Sequence, residues 1–454
     1  MIRVTTFEGR TVAVLGLARS GMAAVRALLD GGAKVLAWDD NEDRRTEAHA
    51  IGAEIVDLVS ADWSNITSLV MSPGIPLTHP KPHPAAAAAK AASVEIIGDI
   101  ELLLRARPDA TLVAITGTNG KSTTTALVGH ILHHAGRTAE IGGNIGKPAL
   151  ELEPLGHGGV YVLEFSSYQL DLTPSLSADV SVLINLSPDH LDRHGGMDGY
   201  IRAKTRVFTG QRDGATAIIG VDDADCRKLS AGLSNPIAIS GRQQIVGGVH
   251  VHDSQLVDDR GGAGRVMLDM LEAPALPGDH NAQNAAAAAA VTLSLGLDRE
   301  AVARGIASFP GLAHRQERVA EISGVLYIND SKATNAEAAA HALACYDAIY
   351  WILGGLGKEG GLTPLADKLA PVRHAFLIGA ASEQFATELD GQVPTTSCGT
   401  LDLALEKAHR MAQDEHPSGA TVLLSPAAAS FDQFPDFEAR GDRFRTLVHA
   451  RMAS

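Results

Sequence analysis

The chain has 454 residues, 45% of them hydrophobic, enough for about three cores at roughly 150 residues per domain. Its formal charge of -15 excludes a broad basic face for nucleic acid or an anionic membrane, leaving room only for a local basic pocket. Three cysteines, Cys226, Cys345 and Cys398, stand far apart without a C-x-x-C pair, which excludes a disulfide framework or a zinc site and fits a reducing compartment.

The opening "MIRVTTFEGR" lacks an apolar signal core. Apolar runs such as "AAAAAAVTLSLGL" fall short of the roughly 18–20 residues a membrane span needs. A cytoplasmic, soluble protein is expected. Short β-branched runs recur with helical stretches between them, the pattern of parallel α/β sheets, and they group into three segments.

The first segment opens with "RTVAVLGLARSG", a strand running into a helix, followed by strands in "AKVLAWDD" and "ITSLVMSPGIP". Gly16, Ala18 and Gly21 form G-x-A-x-x-G, and Asp39 ends the next strand, as in a dinucleotide-binding turn with its ribose-binding acid. The middle glycine is missing, and packing alone gives such a pattern in many βαβ units. A diphosphate at that helix start is the functional reading. "LTHPKPHPAAAAAK" then leads from loop into helix.

The second segment carries "TLVAITGTNGKST". A phosphate-binding loop of the form G-x-x-x-x-G-K-[ST] needs a glycine where this chain has Ile115; the extra glycine is Gly117. The physics of a phosphate cradle is otherwise present in Gly117, Thr118, Asn119, Gly120, Lys121, Ser122 and Thr123. Glycines turn backbone N–H groups inward, Lys121 supplies a point charge, Ser122 can hold magnesium, and a helix begins there. Glu164 ends the strand "YVLEF", and His190 follows the next, in "NLSPDHLDRHG". Strand C-terminal ends gather ligands in α/β sheets. A carboxylate and an imidazole there can hold a magnesium on nucleotide phosphates, although imidazole is an uncommon magnesium ligand; a salt-bridged acid and a loop histidine are the bland alternatives. In "YIRAKTRVF", Lys204 shares a helix face with Tyr200, Ala203, Val207 and Phe208. Burial would lower its pKa and expose a neutral amine able to capture carbon dioxide as a carbamate. By spacing alone a lysine that snorkels to solvent is the better reading. The segment closes with an Ala-rich helix after "PGDHNAQN".

"SFPGLAHRQERV" reads as a junction, and the third segment holds "VLYINDSK", "AIYWILGG", "HAFLIG" and "ATVLLSP". The expected boundaries are 1–98, 99–311 and 312–454.

Taken in order, "TGTNGKST", "GGNIG", "LEFSSYQL", "LAHRQE", "YINDSKATN" and "LLSPAAASFDQFPDFEARGDRF" resemble the Mur ligases of peptidoglycan synthesis over essentially the whole chain. The displaced glycine marks their subclass of ATP loop. The last two strings look most like the member that adds D-glutamate to UDP-N-acetylmuramoyl-L-alanine. The resemblance implies a Rossmann-like N-terminal domain for the UDP-substrate, a central P-loop ATPase domain and a Rossmann-like C-terminal domain for the incoming amino acid. It implies ATP and Mg2+; a monomer is expected, and by its charge and short apolar runs one without nucleic acid or membrane partners.

Residue by residue, Arg19 and Ser20 would meet the substrate diphosphate, and Asp39 the uracil side. Ser72, Pro73 and Gly74 would line that pocket, with Asn144 at the muramoyl-alanine end. Ser122, Glu164, His190 and carbamylated Lys204 would form the magnesium shell. Asn281, Asn284, Arg315 and Asp330 would approach the nucleotide; Lys121, His190, Lys204 and Arg315 would be catalytic. Lys332, Thr334, Lys358, Ser430 and Phe437 would bind D-glutamate, whose two carboxylates need cations and donors. Many members carry an acid where this chain has Leu356, which puts a polar contact there in doubt. The alternatives are a sister ligase using another amino acid such as L-glutamate, an NAD-dependent dehydrogenase built on the first segment, and a P-loop switch without an amino-acid site.

Overall fold

The computed structural model describes residues 1–107, 109–357, 360–415 and 419–452. Three sheets organise them. β1 (Thr11–Leu15), β2 (Lys34–Trp38), β3 (Glu54–Ile55), β4 (Ile66–Met71) and β5 (Glu95–Ile97) form the first, all parallel, in the order β3-β2-β1-β4-β5. The four consecutive buried residues of β1 are what a sheet covered on both faces requires. Strand order reverses between β1 and β4, and that crevice is where such a sheet binds ligands.

The second sheet contains β6 (Thr111–Thr116), β7 (Ala139–Gly143), β8 (Val160–Glu164), β9 (Val180–Leu183), β10 (Thr216–Gly220), β11 (Ile237–Ser240), β12 (Val249–His252), β13 (Gln255–Asp258) and β14 (Arg265–Asp269). Its order is β14-β13-β12-β11-β10-β9-β6-β8-β7. The pattern of parallel strands holds from β7 to β12, but β12, β13 and β14 pair antiparallel. Asp253 and Ser254 join the first two of these with φ of 48° and 61°, the left-handed pair a tight two-residue hairpin turn needs. This hairpin adds antiparallel strands where the sequence suggested parallel ones alone.

The third sheet contains β15 (Glu317–Ile322), β16 (Val325–Asn329), β17 (Ile349–Gly354), β18 (Val372–Ile378), β19 (Thr395–Gly399) and β20 (Thr421–Leu424), in the order β15-β16-β20-β17-β18-β19. Only β15, at one edge, runs antiparallel. The Ala-rich run lies in the helix Asp279–Ser294, where Ala285 through Ala290 are all fully buried; no described helix is long and apolar enough to cross a membrane.

The chain divides into two compact units. One comprises Met1–Glu272 with Asn281–Phe309, so the first two sheets share it; the other comprises Ala273–His280 with Pro310–Ser454. Within the first unit one continuous apolar core runs from Val12 and Val14 under the first sheet to Ala114 and Leu163 under the second.

Candidate active site

Ile115 is fully buried in β6, so the chain cannot turn where a standard phosphate loop would. The loop begins at Gly117, and Gly120 caps the helix Lys121–His134 with φ of 81°. A Cβ at Gly120 would stand 2.1 Å from Asn284 Oδ1, so both backbone conformation and space demand glycine. Asn185, just past β9, holds the loop: its carbonyl accepts from Thr118 N at 3.0 Å and its Oδ1 from Asn119 N at 2.9 Å. Thr118 Oγ1 lies 3.0 Å from Tyr200 Oη. Lys121 Nζ donates to the carbonyls of Gly117 and Thr118 at 2.9 and 2.7 Å, which keeps its charge at the mouth of the loop. Ser122 is buried and Thr123 half-buried in the first turn. Asn284 Nδ2 donates to Asn281 Oδ1 at 3.1 Å, and Thr124 Oγ1 donates to Asn284 Oδ1 at 3.2 Å. Asn284 thus reaches the loop, with Asn281 behind it.

Beside this loop, Glu164 ends β8, paired in register with Ile115. Its Oε1 accepts from Asn144 Nδ2 at 2.7 Å, while its buried Oε2 has no hydrogen-bond partner among the described residues. Lys204 is 2% exposed and donates to Thr116 Oγ1 at 3.3 Å, with Nζ 5.0 Å from the Tyr200 ring centre. That burial removes the snorkelling alternative. Burial pushes the Lys204 amine well below the usual lysine range; the charge of Lys121 adds to this, and Asp189 and Glu164 oppose it. His190 sits at φ 51° with its side chain 55% exposed, its ring 5.4 Å from that of Tyr168. Among the described residues no group of three or more His, Cys, Asp or Glu is spaced to hold a metal. The set nonetheless suits magnesium, which takes one or two protein carboxylates and fills its octahedron with phosphate oxygens and water. The unpartnered Oε2 of Glu164 is a ready ligand, and burial favours the uncharged form of the Lys204 amine, which carbamylation needs.

At the first sheet, Arg19 begins the helix Arg19–Asp30 and donates to Gly146 O at 2.6 Å; Ser20 follows, half-buried. Asp39 Oδ2 accepts from Leu17 N at 2.6 Å and Oδ1 from Asn41 N at 2.9 Å. Partial burial raises the Asp39 carboxyl, but those two amides and Arg44 outweigh it and hold it below the usual range. Ser72 Oγ donates to Gly16 O at 2.9 Å across the β1–β4 crevice. A small cleft lined by Pro73, Ile75, Leu77, Tyr168 and Arg193 continues from it, and Arg193 Nη1 donates to Gly74 O at 3.1 Å.

In the C-terminal unit, Asp330 follows β16. Its Oδ2 accepts from Ser425 Oγ at 2.8 Å and its Oδ1 from Gln316 N at 3.2 Å, and burial pushes its carboxyl up to about 7. Arg315 is close enough to oppose that shift. Lys332 Nζ stands 3.8 Å over the Phe437 ring, and Thr334 follows in the same loop. Ser430 is buried beyond β20. Lys358 lies outside the described residues. Leu356 is 48% exposed and bridges Ala429 through its backbone, so its side chain replaces no buried contact.

The Mur ligase middle domain model matches residues 115–292. UDP-N-acetylmuramoylalanine–D-glutamate ligase of Caulobacter sp. (strain K31) is 51% identical over 99% of this chain and 98% of its own length. Proteins of that name from Phenylobacterium zucineum and Nitrobacter hamburgensis are 50% and 49% identical, each over 99% of this chain and 98% of theirs. The chain belongs to the Mur ligase family. Among solved structures, UDP-N-acetylmuramate-alanine ligase MurC from Thermotoga maritima shares the fold at TM-score 0.60 and 17% identity, covering 98% of this chain and all of that one. MurF ligase from Thermotoga maritima, in complex with ADP, does so at TM-score 0.56 and 17% identity, covering 99% and 98%.

The structure of this Mur ligase adds residues that sequence motifs did not single out. Asn185, Thr116 and Tyr200 touch the loop or Lys204, and Tyr168 packs against His190. Position at a strand end is the signal for Thr116 and Asn185. Tyr200 carries only its helix-face spacing with Lys204, and nothing local marks Tyr168.

Proposed function

We propose that this Mur ligase joins D-glutamate to UDP-N-acetylmuramoyl-L-alanine while ATP is cleaved to ADP and phosphate, a cytoplasmic step of peptidoglycan precursor synthesis carried out by a monomer. The observation that carries this reading is identity near 50%, end to end, with relatives named for that reaction. The phosphate cradle at Gly117–Thr123 beside an unpartnered Glu164 oxygen agrees with it. Residues 1–98 would hold the UDP-substrate, 99–311 ATP, and 312–454 the amino acid.

In the first step an oxygen of the alanine carboxylate attacks the γ-phosphorus and ADP leaves, giving an acyl phosphate. Little covalent chemistry is required of the protein beyond positioning and charge neutralisation. Lys121 and Arg315 supply positive charge, and Asn281, Asn284 and Asp330 complete the nucleotide contacts. Magnesium would be held by Ser122, Glu164, His190 and the Lys204 carbamate, and when bound it would supply neutralisation of the phosphate charge. Arg19, Ser20, Asp39, Ser72, Pro73, Gly74 and Asn144 orient the UDP-substrate. In the second step the D-glutamate amine attacks the acyl carbon, and phosphate leaves from the tetrahedral intermediate. Lys332, Thr334, Lys358, Ser430 and Phe437 hold the amino acid, and His190 orients its amine.

Mass analysis of a reaction with ATP, magnesium, UDP-N-acetylmuramoyl-L-alanine and D-glutamate tests the reading. UDP-N-acetylmuramoyl-L-alanyl-D-glutamate with one ADP per product is expected. Product only with a different amino acid would assign the chain to a sister reaction.

A further inference from the structure

Arg440 lies in the first turn of the helix Phe437–Met452, with only 1% of its surface exposed. A cation buried this deeply ordinarily meets a carboxylate. None of its hydrogen-bond partners among the described residues is one. Nε donates to Ser331 Oγ at 3.0 Å, and Nη2 to Ser331 O at 2.9 Å and Ala428 O at 3.2 Å. Nη1 donates to Ala428 O at 3.2 Å and Gly354 O at 3.4 Å. Burial lowers its pKa to about 10, opposed by Asp432, so it stays charged at neutral pH.

These acceptors belong to three chain segments that leave the C-terminal ends of the neighbouring strands β16, β20 and β17. Ser331 precedes Lys332, Ala428 lies two residues before Ser430, and Gly354 ends β17, four positions before Lys358 in the sequence. Ser331 Oγ in turn donates to Phe437 O at 2.8 Å, tying in the helix start whose ring lies under Lys332. One guanidinium therefore joins the backbone supports of every described residue assigned to the amino acid. The fit is close on its far side too, since a Cβ at Gly355 would stand 3.1 Å from Nη1.

We propose that Arg440 is a positioning residue for the amino-acid site: its planar fork fixes three strand-end loops against one another, and its charge, hydrogen-bonded to no carboxylate among the described residues, gives a dicarboxylate substrate a positive floor. The inference rests on the D-glutamate reading above. An ammonium cannot reproduce the fork, because its three donors do not spread in one plane to acceptors on three loops. A neutral side chain loses both fork and charge.

The test compares Arg440→Lys, Arg440→Met and Ser331→Ala with the parent enzyme, using Ser430→Ala as the reference for the site itself. KM is measured for D-glutamate, ATP and the UDP-substrate, with a thermal melt for each variant. Arg440→Lys is expected to raise the D-glutamate KM about tenfold or more while the other two KM values stay within about twofold. Arg440→Met raises it further, and Ser331→Ala raises it about threefold. If Arg440→Met does not fold, the lysine and serine variants decide. A lower melting temperature with the D-glutamate KM unchanged, or equal rises for all three substrates, makes Arg440 merely structural and overturns the proposal. If Ser430→Ala also leaves the D-glutamate KM unchanged, the amino-acid-site reading fails and the proposal falls with it.

Discussion

Lys121 and Lys204 show how differently two lysines on one site are determined. Lys121 was legible from the sequence because its role depends on local order: glycines, then a lysine, then a helix start. Its ammonium lies on the Gly117 and Thr118 carbonyls at the loop mouth. Lys121→Ala is therefore expected to cut ATP turnover by at least about 10³-fold while circular dichroism and melting stay near the parent's. Near-normal turnover in folded protein would remove the phosphate-loop reading. Lys204 was only half legible. Its 3–4 spacing with Tyr200, Val207 and Phe208 put it on an apolar face, yet a long side chain on such a face usually reaches water. What decides its burial is the neighbouring sheet, whose Thr116 meets the amine, and helix periodicity carries no information about a sheet. Lys204→Ala is expected to collapse activity, with formate or acetate restoring part of it by filling the vacated space with a carboxylate. A mild loss without rescue would identify an ordinary buried lysine.

Among the elements, the helices and parallel strands followed from their runs and spacing, and the loop after β6 followed from its glycines. The hairpin β12–β13 and its partner β14 did not. Their strands are four or five residues long, and the turn depends on left-handed conformations at Asp253 and Ser254 rather than on glycine. Thr116, Asn185 and Glu164 come to one end of the sheet because β6 lies between β9 and β8, a matter of strand order that no local motif encodes. The helix Asp99–Ala106 carries a testable conflict at its first residue. A carboxylate there is favoured by the helix dipole, but Asp99 is 3% exposed, and the backbone amides of Ile100 and Ala149 beside it only partly offset that burial. Burial wins and pushes its carboxyl from 3.8 up to about 6. The folded protein then keeps a proton that the unfolded chain releases, so stability falls as pH rises from about 4 to about 6 and levels off above. Asp99→Asn removes that proton site and should stabilise the protein above pH 6 by up to about 3 kcal/mol, with no gain below pH 4. Denaturant melts at both pH values check it; an equal change at both would point to packing instead.

At the scale of the whole molecule, three α/β sheets were legible because each repeats the same alternation of apolar strand and helix. The grouping of chain into units was less so. Residues 273–280 belong with the C-terminal unit although they precede the Ala-rich stretch of the first, and the sequence there offers only a proline- and glycine-containing connection. The proposed reaction needs all three sheets: one substrate at the β1–β4 crevice, ATP at the loop after β6, and an amino acid at the ends of β16, β20 and β17. Phosphate release should accordingly be coupled to the presence of both other substrates. Phosphate release from ATP and magnesium, with UDP-N-acetylmuramoyl-L-alanine and a panel of D- and L-amino acids, measures this most directly. Release is expected only when D-glutamate and the UDP-substrate are both present, with L-glutamate inactive. Release that proceeds at the same rate without either would contradict the ligase reading and leave a phosphate-loop protein of another kind.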